Sequence, residues 1–145
     1  MTTFDKNEAL IRLSESAGAD FGRVAFDAQS APQKVFSAIW QLESLVNNGG
    51  FDAYFRYADS EVIGYATVAL REIGAFRCSA IVERALQVLG SLPPTREGRE
   101  NVLDSLATDD ALDVLDQEFF AYPDDLTGLL FAFVSKRPET FGSIS

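Results

Sequence analysis

Histidine is absent from the sequence, so the chain lacks the side chain most often used for proton transfer near neutral pH and the commonest metal ligand. Serine–histidine triads, histidine-assisted cysteine catalysis and zinc sites of the usual kinds are therefore excluded. Cysteine occurs once, at Cys78, which rules out an intramolecular disulfide and agrees with a reducing compartment. Because Cys78 belongs to an apolar stripe with Val82, Ala85 and Leu89, we predict an inert core thiol without a catalytic role.

Long apolar runs are also absent. The longest, Leu129 to Val134, falls far short of the ~20 residues that a membrane-spanning helix needs, and no basic region followed by an apolar run opens the chain. The sequence has no glycine-rich phosphate loop, calcium-loop pattern or Cys-x-x-Cys pair, so no cofactor is expected. These features predict a single cytoplasmic domain that does not engage a membrane.

Basic residues are scarce relative to acidic ones. The chain has 12 Lys and Arg against 22 Asp and Glu, a net charge of −10, which disfavours direct binding to nucleic acid and favours basic partners. The imbalance is concentrated between Glu100 and Ser135, where no Lys or Arg occurs. The acids of this stretch are Glu100, Asp104, Asp109, Asp110, Asp113, Asp116, Glu118, Asp124 and Asp125.

The apolar residues follow a helical period and nowhere alternate convincingly with a period of two. One stripe contains Val35, Ile39, Leu42 and Val46. We therefore predict an all-α protein, a single-domain compact bundle of about seven short helices joined by tight turns. Caps are expected at Thr3 or Asp5, at Ser30 in a capping box with Gln33, and at Ser60. The helical stretches are residues 4–13, 30–46, 51–57, 60–73, 76–89, 96–106, 109–119 and 123–136.

Two asparagines and two glycines interrupt this pattern and predict a turn between two packed helices, because these residues tolerate a left-handed backbone and cap helix ends. The turn comprises Asn47, Asn48, Gly49, Gly50 and Phe51. The alternative to a purely structural turn is a recognition corner that also uses Glu43, Tyr54 and Arg56. The aromatic residues Phe51, Tyr54, Phe55 and Tyr57 are interpreted as core, and Trp40 is compatible with either core or surface.

Residues 109–113 spell Asp-Asp-x-x-Asp, a pattern that holds magnesium on a diphosphate in prenyl-transfer enzymes. Neither a second metal motif nor a nearby basic residue supports that reading, so we do not favour it. At 100° per residue, the four aspartates of this helix fan across one side, with Glu118 at the edge of the apolar side. The face is either solvated surface or a binding surface. The fan comprises Asp109, Asp110, Asp113 and Asp116, and the apolar side Leu112, Leu115 and Phe119.

Several short motifs resemble those of one bacterial family. Asn-Asn-Gly-Gly-Phe at 47–51, followed by Tyr54-Phe55, Ala69-Leu70 and Ile73-Gly74-Ala75, resembles the DNA-mimic family called DMP-nineteen. The family's C-terminal pattern is matched by Leu115-Asp116, Glu118-Phe119, Asp124-Asp125-Leu126 and Pro138-Glu139-Thr140-Phe141. The resemblance, which covers roughly Ala31 to Phe141, implies a small acidic helical domain at residues 31–142. Residues 1–30 are then an N-terminal helical extension packed on that domain.

The resemblance further implies a non-enzymatic binding protein that presents carboxylates where the phosphates of DNA would lie. The expected partner is a basic, DNA-binding protein such as a transcription regulator or a nucleoid protein, bound by a monomer or homodimer. Alternatives are an immunity or antitoxin-like protein that blocks a basic nuclease, and a small enzyme that uses Asp and Glu alone. The predicted partner-binding residues are Glu100, Asp104, Asp109, Asp110, Asp113, Asp116, Asp124 and Asp125.

Overall fold

In the computed structural model, which describes residues 1–15, 24–90, 92–106 and 110–143, every regular element is helical. This confirms the all-α prediction, and the described residues form eight α-helices and one short 3-10 turn. None of these helices is long and apolar enough to cross a membrane. The elements are α1 (Thr3–Glu15), a 3-10 turn (Phe26–Ala28), α2 (Ala31–Tyr57), α3 (Ser60–Glu72), α4 (Phe76–Leu89), α5 (Arg96–Ser105), α6 (Ala111–Phe120), α7 (Leu126–Ser135) and α8 (Pro138–Phe141).

Helix α2 lies at the centre of the bundle and packs against α3, α5 and α6, while α4 packs against α3 and α6 and α1 packs against α7. The predicted stripe of α2 is at most 2 % exposed at each of its four positions, which confirms it as the core face. The other half of α2 adds three fully buried aromatic rings. Because these rings pack together and against Phe119 of α6, they join the two helices; they are Phe51, Tyr54 and Phe55.

The predicted turn at residues 47–51 is a kink within α2. Gly50 has φ 71° and ψ −171°, in the region that favours glycine, whereas Gly49 has an extended φ of −159°. Of the four Asn and Gly residues that tolerate a left-handed backbone, Gly50 alone has a positive φ. The direction of the chain changes at the kink, and the backbone N–H of Phe51 donates to a side chain of α6 rather than continuing the helical ladder.

The helix ends agree with the predicted capping box and correct two other caps. Ser30 Oγ accepts from Gln33 N at 3.4 Å and Gln33 Oε1 accepts from Ser30 N at 2.9 Å, as predicted. At α1, however, the reciprocal bonds join Thr2 and Asp5, so the cap is one residue earlier than Thr3. The Ser60 hydroxyl donates to Pro94 O at 2.9 Å instead of capping α3.

The C-terminal third shows two further differences. Helix α6 begins at Ala111, and its predicted first residue, Asp109, lies outside the described residues. Helix α8, whose four residues are too few to show a helical period, was not predicted. Helix α7 begins at Leu126 rather than at residue 123, because Asp125 caps it by accepting from Gly128 N at 3.1 Å.

Among the described residues, one charged side chain is buried in the core. Arg99 of α5 is 2 % exposed, and its guanidinium donates to Phe55 O at 2.7 Å, to Ala58 O at 2.6 Å and to the Ser60 hydroxyl. These acceptors belong to the end of α2 and the start of α3. Arg99 therefore fastens α5 to the α2–α3 junction by satisfying carbonyls at a helix C-terminus, which carries a partial negative charge.

Candidate functional site

The kink in α2 is held by a carboxylate from α6. Asp116 Oδ1 accepts a hydrogen bond from Phe51 N at 2.8 Å, so Asp116 caps the second half of α2 from a distant part of the chain. A Cβ built on Gly50 would lie 2.8 Å from Asp116 Cγ, so only glycine allows this close approach. Desolvation raises the pKa of Asp116, and the charges of Asp113 and Asp52 act in the same direction. The expectation that Asp116 lies in an exposed fan is therefore corrected, because its carboxylate turns towards α2.

Three helices bring acids together around this kink. Arg56 Nε lies 2.6 Å from Asp52 Oδ1 and its terminal nitrogen 2.9 Å from Asp104 Oδ1, which joins α2 to α5. Both carboxylates act to raise the pKa of Arg56, so the guanidinium stays charged. Asp52 and Asp113 both act electrostatically on Asp116, which places α6 against the same region. We call this surface the acidic face. It comprises Asp52, Asp104, Asp113 and Asp116, together with Arg56, which pairs with the first two.

The remaining predicted acids of α5 and α6 extend this surface. Asp110 and Asp113 are exposed, and no Lys or Arg of the described chain forms an ion pair with either of them. Glu100 precedes Asp104 by one turn of α5 and is half-buried. The predicted apolar side of α6 is confirmed, since Leu112, Leu115 and Phe119 are buried. Glu118 forms an ion pair with Arg84 of α4 at 2.8 Å, on the opposite flank of the helix from Asp116.

The last two predicted acids lie at a separate corner. Asp124 Oδ2 accepts from Cys78 N at 2.8 Å and thereby caps α4, while Asp125 caps α7. Between them and α2 lies Tyr122, whose φ of 48° is unusual for a residue other than glycine. Its hydroxyl accepts from Asn47 Nδ2 at 3.0 Å. We call Glu43, Asn47 and Tyr122 the Tyr122 corner.

A half-buried acid, Glu43, occupies this corner. Burial raises the pKa of Glu43 to about 7, the Tyr122 hydroxyl lowers it by hydrogen bonding, and the charge of Asp125 raises it further. Glu43 and Asn47 are four residues apart on α2 and so lie on one face of the helix. Glu43 and Asn47, two of the predicted recognition residues, therefore share a partner in Tyr122, a residue that no sequence pattern singled out.

The structure also shows the burial of the other residues discussed from the sequence. Tyr54 is fully buried and cannot belong to a recognition surface, whereas Tyr57 is 59 % exposed, contrary to its interpretation as core. Cys78 is buried as predicted, and desolvation raises its pKa to about 12, which opposes formation of the nucleophilic thiolate. Within the described ranges, no group of three or more Cys, Asp or Glu is arranged to hold a metal ion.

Comparison with known families agrees with the resemblance seen in the motifs. Residues 27–137 match the family described as DMP19-like protein. The chain belongs to this family. The match includes the kink, α5, α6 and α7, and therefore both the acidic face and the Tyr122 corner. No solved structure matches the chain.

Proposed function

We propose that this family member is a non-enzymatic, cytoplasmic acidic protein that binds the DNA-binding surface of a basic protein, such as a transcription regulator or nucleoid protein. The observation that supports this proposal is that carboxylates from α2, α5 and α6 lie together on one face, where Arg56 pairs with Asp52 and Asp104. The negative charge of these carboxylates attracts a basic partner and repels nucleic acid.

Some acids of this region stabilise the fold, and others are exposed to a partner. Asp116 and Asp124 accept backbone hydrogen bonds within the fold, so their carboxylates hold the helices that carry the surface. Asp110 and Asp113 are exposed and available to lysine and arginine side chains, whereas Asp104 is exposed but already paired with Arg56 through one oxygen. Exposed Val114 and Phe120 lie on α6 together with Asp113 and provide apolar contacts beside the charges.

The proposal is tested by affinity capture from a lysate with the triple variant Asp104→Asn, Asp110→Asn, Asp113→Asn. Its control, Glu61→Gln, Glu72→Gln, Glu139→Gln, makes the same change in net charge on exposed residues of α3 and α8. We expect the first variant alone to lose the partner, and duplex DNA to compete for that partner. Capture should also weaken steeply as salt rises, since charged contacts of this kind are screened.

Equal capture by the two variants, or binding that is insensitive to salt and DNA, would contradict the proposal. A captured basic nuclease whose activity is blocked would instead support the immunity-type alternative.

A further inference from the structure

A cleft of about 630 Å³ lies on a part of the molecule that shares no residue with the acidic face. Its described walls come from the end of α1, the 3-10 turn, the first half of α2 and the α2–α3 junction. This volume falls within the range of roughly 300–1,000 Å³ that is usual for small-molecule sites. The proposed function makes no use of this cleft.

One wall is aromatic and flat. Trp40 is half-buried and stacks on Phe36 with a centroid distance of 5.4 Å and an interplanar angle of 12°. Tyr57 is exposed where the cleft meets the α2–α3 junction. Phe26 completes the ring-lined part and is held edge-on by Tyr65 at 5.6 Å. Lys34 Nζ already lies 5.7 Å from the centroid of the Phe26 ring, so Trp40 and Tyr57 are the rings that present apolar area to a planar ligand and their π faces to a cation.

The polar groups of the cleft are not equivalent. Gln29 is committed to the fold, because its Oε1 accepts from Ser37 Oγ at 2.8 Å and its Nε2 donates to Val24 O at 3.2 Å. Gln41 Oε1, by contrast, is buried without a hydrogen-bond partner. A buried unpaired acceptor is unfavourable. Rotation about the last torsion of Gln41, which is broad, would turn this acceptor towards a donor in the cleft.

The charged residues that line the cleft indicate the charge of the ligand that it would bind. Asp59 is its one charged residue among the described lining positions, which include no Lys or Arg. The Asp59 side chain makes no capping bond to α3. Arg99 acts on it electrostatically, but the Arg99 guanidinium is bonded to Phe55, Ala58 and Ser60. An anionic ligand is therefore disfavoured and a cationic one favoured.

We propose that the cleft binds a small arylalkylamine, in which a short alkyl chain joins an aromatic ring to a protonated amine. Its ring lies against Trp40 and Tyr57, its ammonium group pairs with the Asp59 carboxylate, and an N–H donor bonds the Gln41 amide oxygen.

Trp40 is the single tryptophan of the chain, so its fluorescence reports on the cleft directly. Phenethylamine, phenethyl alcohol and phenylacetate share one ring and differ in the charge of the end group, and they are titrated separately at physiological ionic strength. We expect the amine to bind tightest, the alcohol more weakly and the anion least.

Two variants test the assigned groups and a third is their control, with affinity measured by the same titration. Asp59→Asn should weaken phenethylamine binding roughly threefold to fivefold, as for a partly exposed ion pair, and leave the alcohol unchanged. Asp113→Asn removes the same charge from the acidic face and should have no effect. Gln41→Leu should weaken binding of the amine yet raise the melting temperature of the free protein, because it removes the unpaired acceptor.

Equal affinity for the three probes would overturn the ligand class, and no Trp40 response to any of them would overturn the site. Equal weakening by Asp59→Asn and Asp113→Asn would show attraction by net charge alone and would also overturn the site. Loss of phenethylamine binding in Gln41→Leu without a rise in melting temperature would contradict the role given to the unpaired oxygen.

Discussion

At the scale of single residues, aspartates that look alike in sequence have different roles. Asp113 and Asp116 are one turn apart on α6, but Asp113 is exposed whereas Asp116 bonds the backbone of α2. The sequence shows the charge and the helical phase of each aspartate. The partner of Asp116, 65 residues away in the chain, follows only from how α2 and α6 pack.

Replacing Asp116 with Ala should destabilise the fold by roughly 1–3 kcal/mol, since Phe51 N would lose its acceptor. Asp113→Ala is the matched control, because both substitutions make the same gain in helix propensity within one helix. Asp113→Ala should change the free energy of unfolding by no more than about 0.5 kcal/mol. Urea unfolding measures both variants.

Asp116→Asn provides a second control, because its amide oxygen can still accept from Phe51 N. It should retain most of the stability that Asp116→Ala loses. If Asp116→Ala and Asp113→Ala prove equally stable, the capping role of Asp116 is wrong.

At the scale of helices, Arg99 joins α5 to the end of α2 and the start of α3. Arg99→Met should lower the free energy of unfolding by roughly 3 kcal/mol or more, because Phe55 O and Ala58 O would both lose a buried donor. Arg99→Lys should recover only part, since an ammonium cannot reproduce the planar fork of donors.

Arg96→Met is the control for this prediction. Arg96 is exposed on the same helix and donates to Tyr57 O at 3.1 Å, so its loss removes one contact at the same junction without leaving a buried group unpaired. Calorimetric melting of the three variants should rank Arg96→Met as the most stable and Arg99→Met as the least. The reverse order would mean that Arg99 does not fasten α5.

The helices themselves were largely predictable from sequence, because the stripe of α2, the capping box at Ser30 and the glycine after α4 are local signals. Contacts between residues that are distant in the sequence could not be predicted in this way. Arg99 has the sequence context of an exposed helical arginine, and Ser60 looks like a cap but bonds Pro94. The grouping of Asp52 with Asp104 likewise depends on the angle that the kink imposes on α2, which local patterns do not encode.

At the scale of the whole molecule, Glu43 makes stability depend on pH. Burial raises its pKa in the folded protein to about 7 from an ordinary value of 4.5, so the folded state binds the extra proton between these values. The contribution of Glu43 to stability therefore falls as pH rises from about 4.5 to about 7 and is constant outside that window. Glu43→Gln removes this dependence, and at pH 8 it should be more stable than the parent by on the order of 1–3 kcal/mol.

Unfolding free energies of both proteins across this range measure the effect, and their difference should close as the solution is acidified. The comparison isolates Glu43 because every other acid of the chain is common to both proteins. A difference that stays constant with pH would show that Glu43 titrates normally.

Two helices of the N-terminal two thirds depend on carboxylates made later in the chain. Phe51 N is capped by Asp116 and Cys78 N by Asp124, across separations of 65 and 46 residues. During synthesis, the first cap is not available until α6 has left the ribosome, and the second not until the turn after α6 has followed it. We therefore expect nascent chains that end before Asp116 to stay sensitive to protease at the kink, and the fold to become resistant late and in one step.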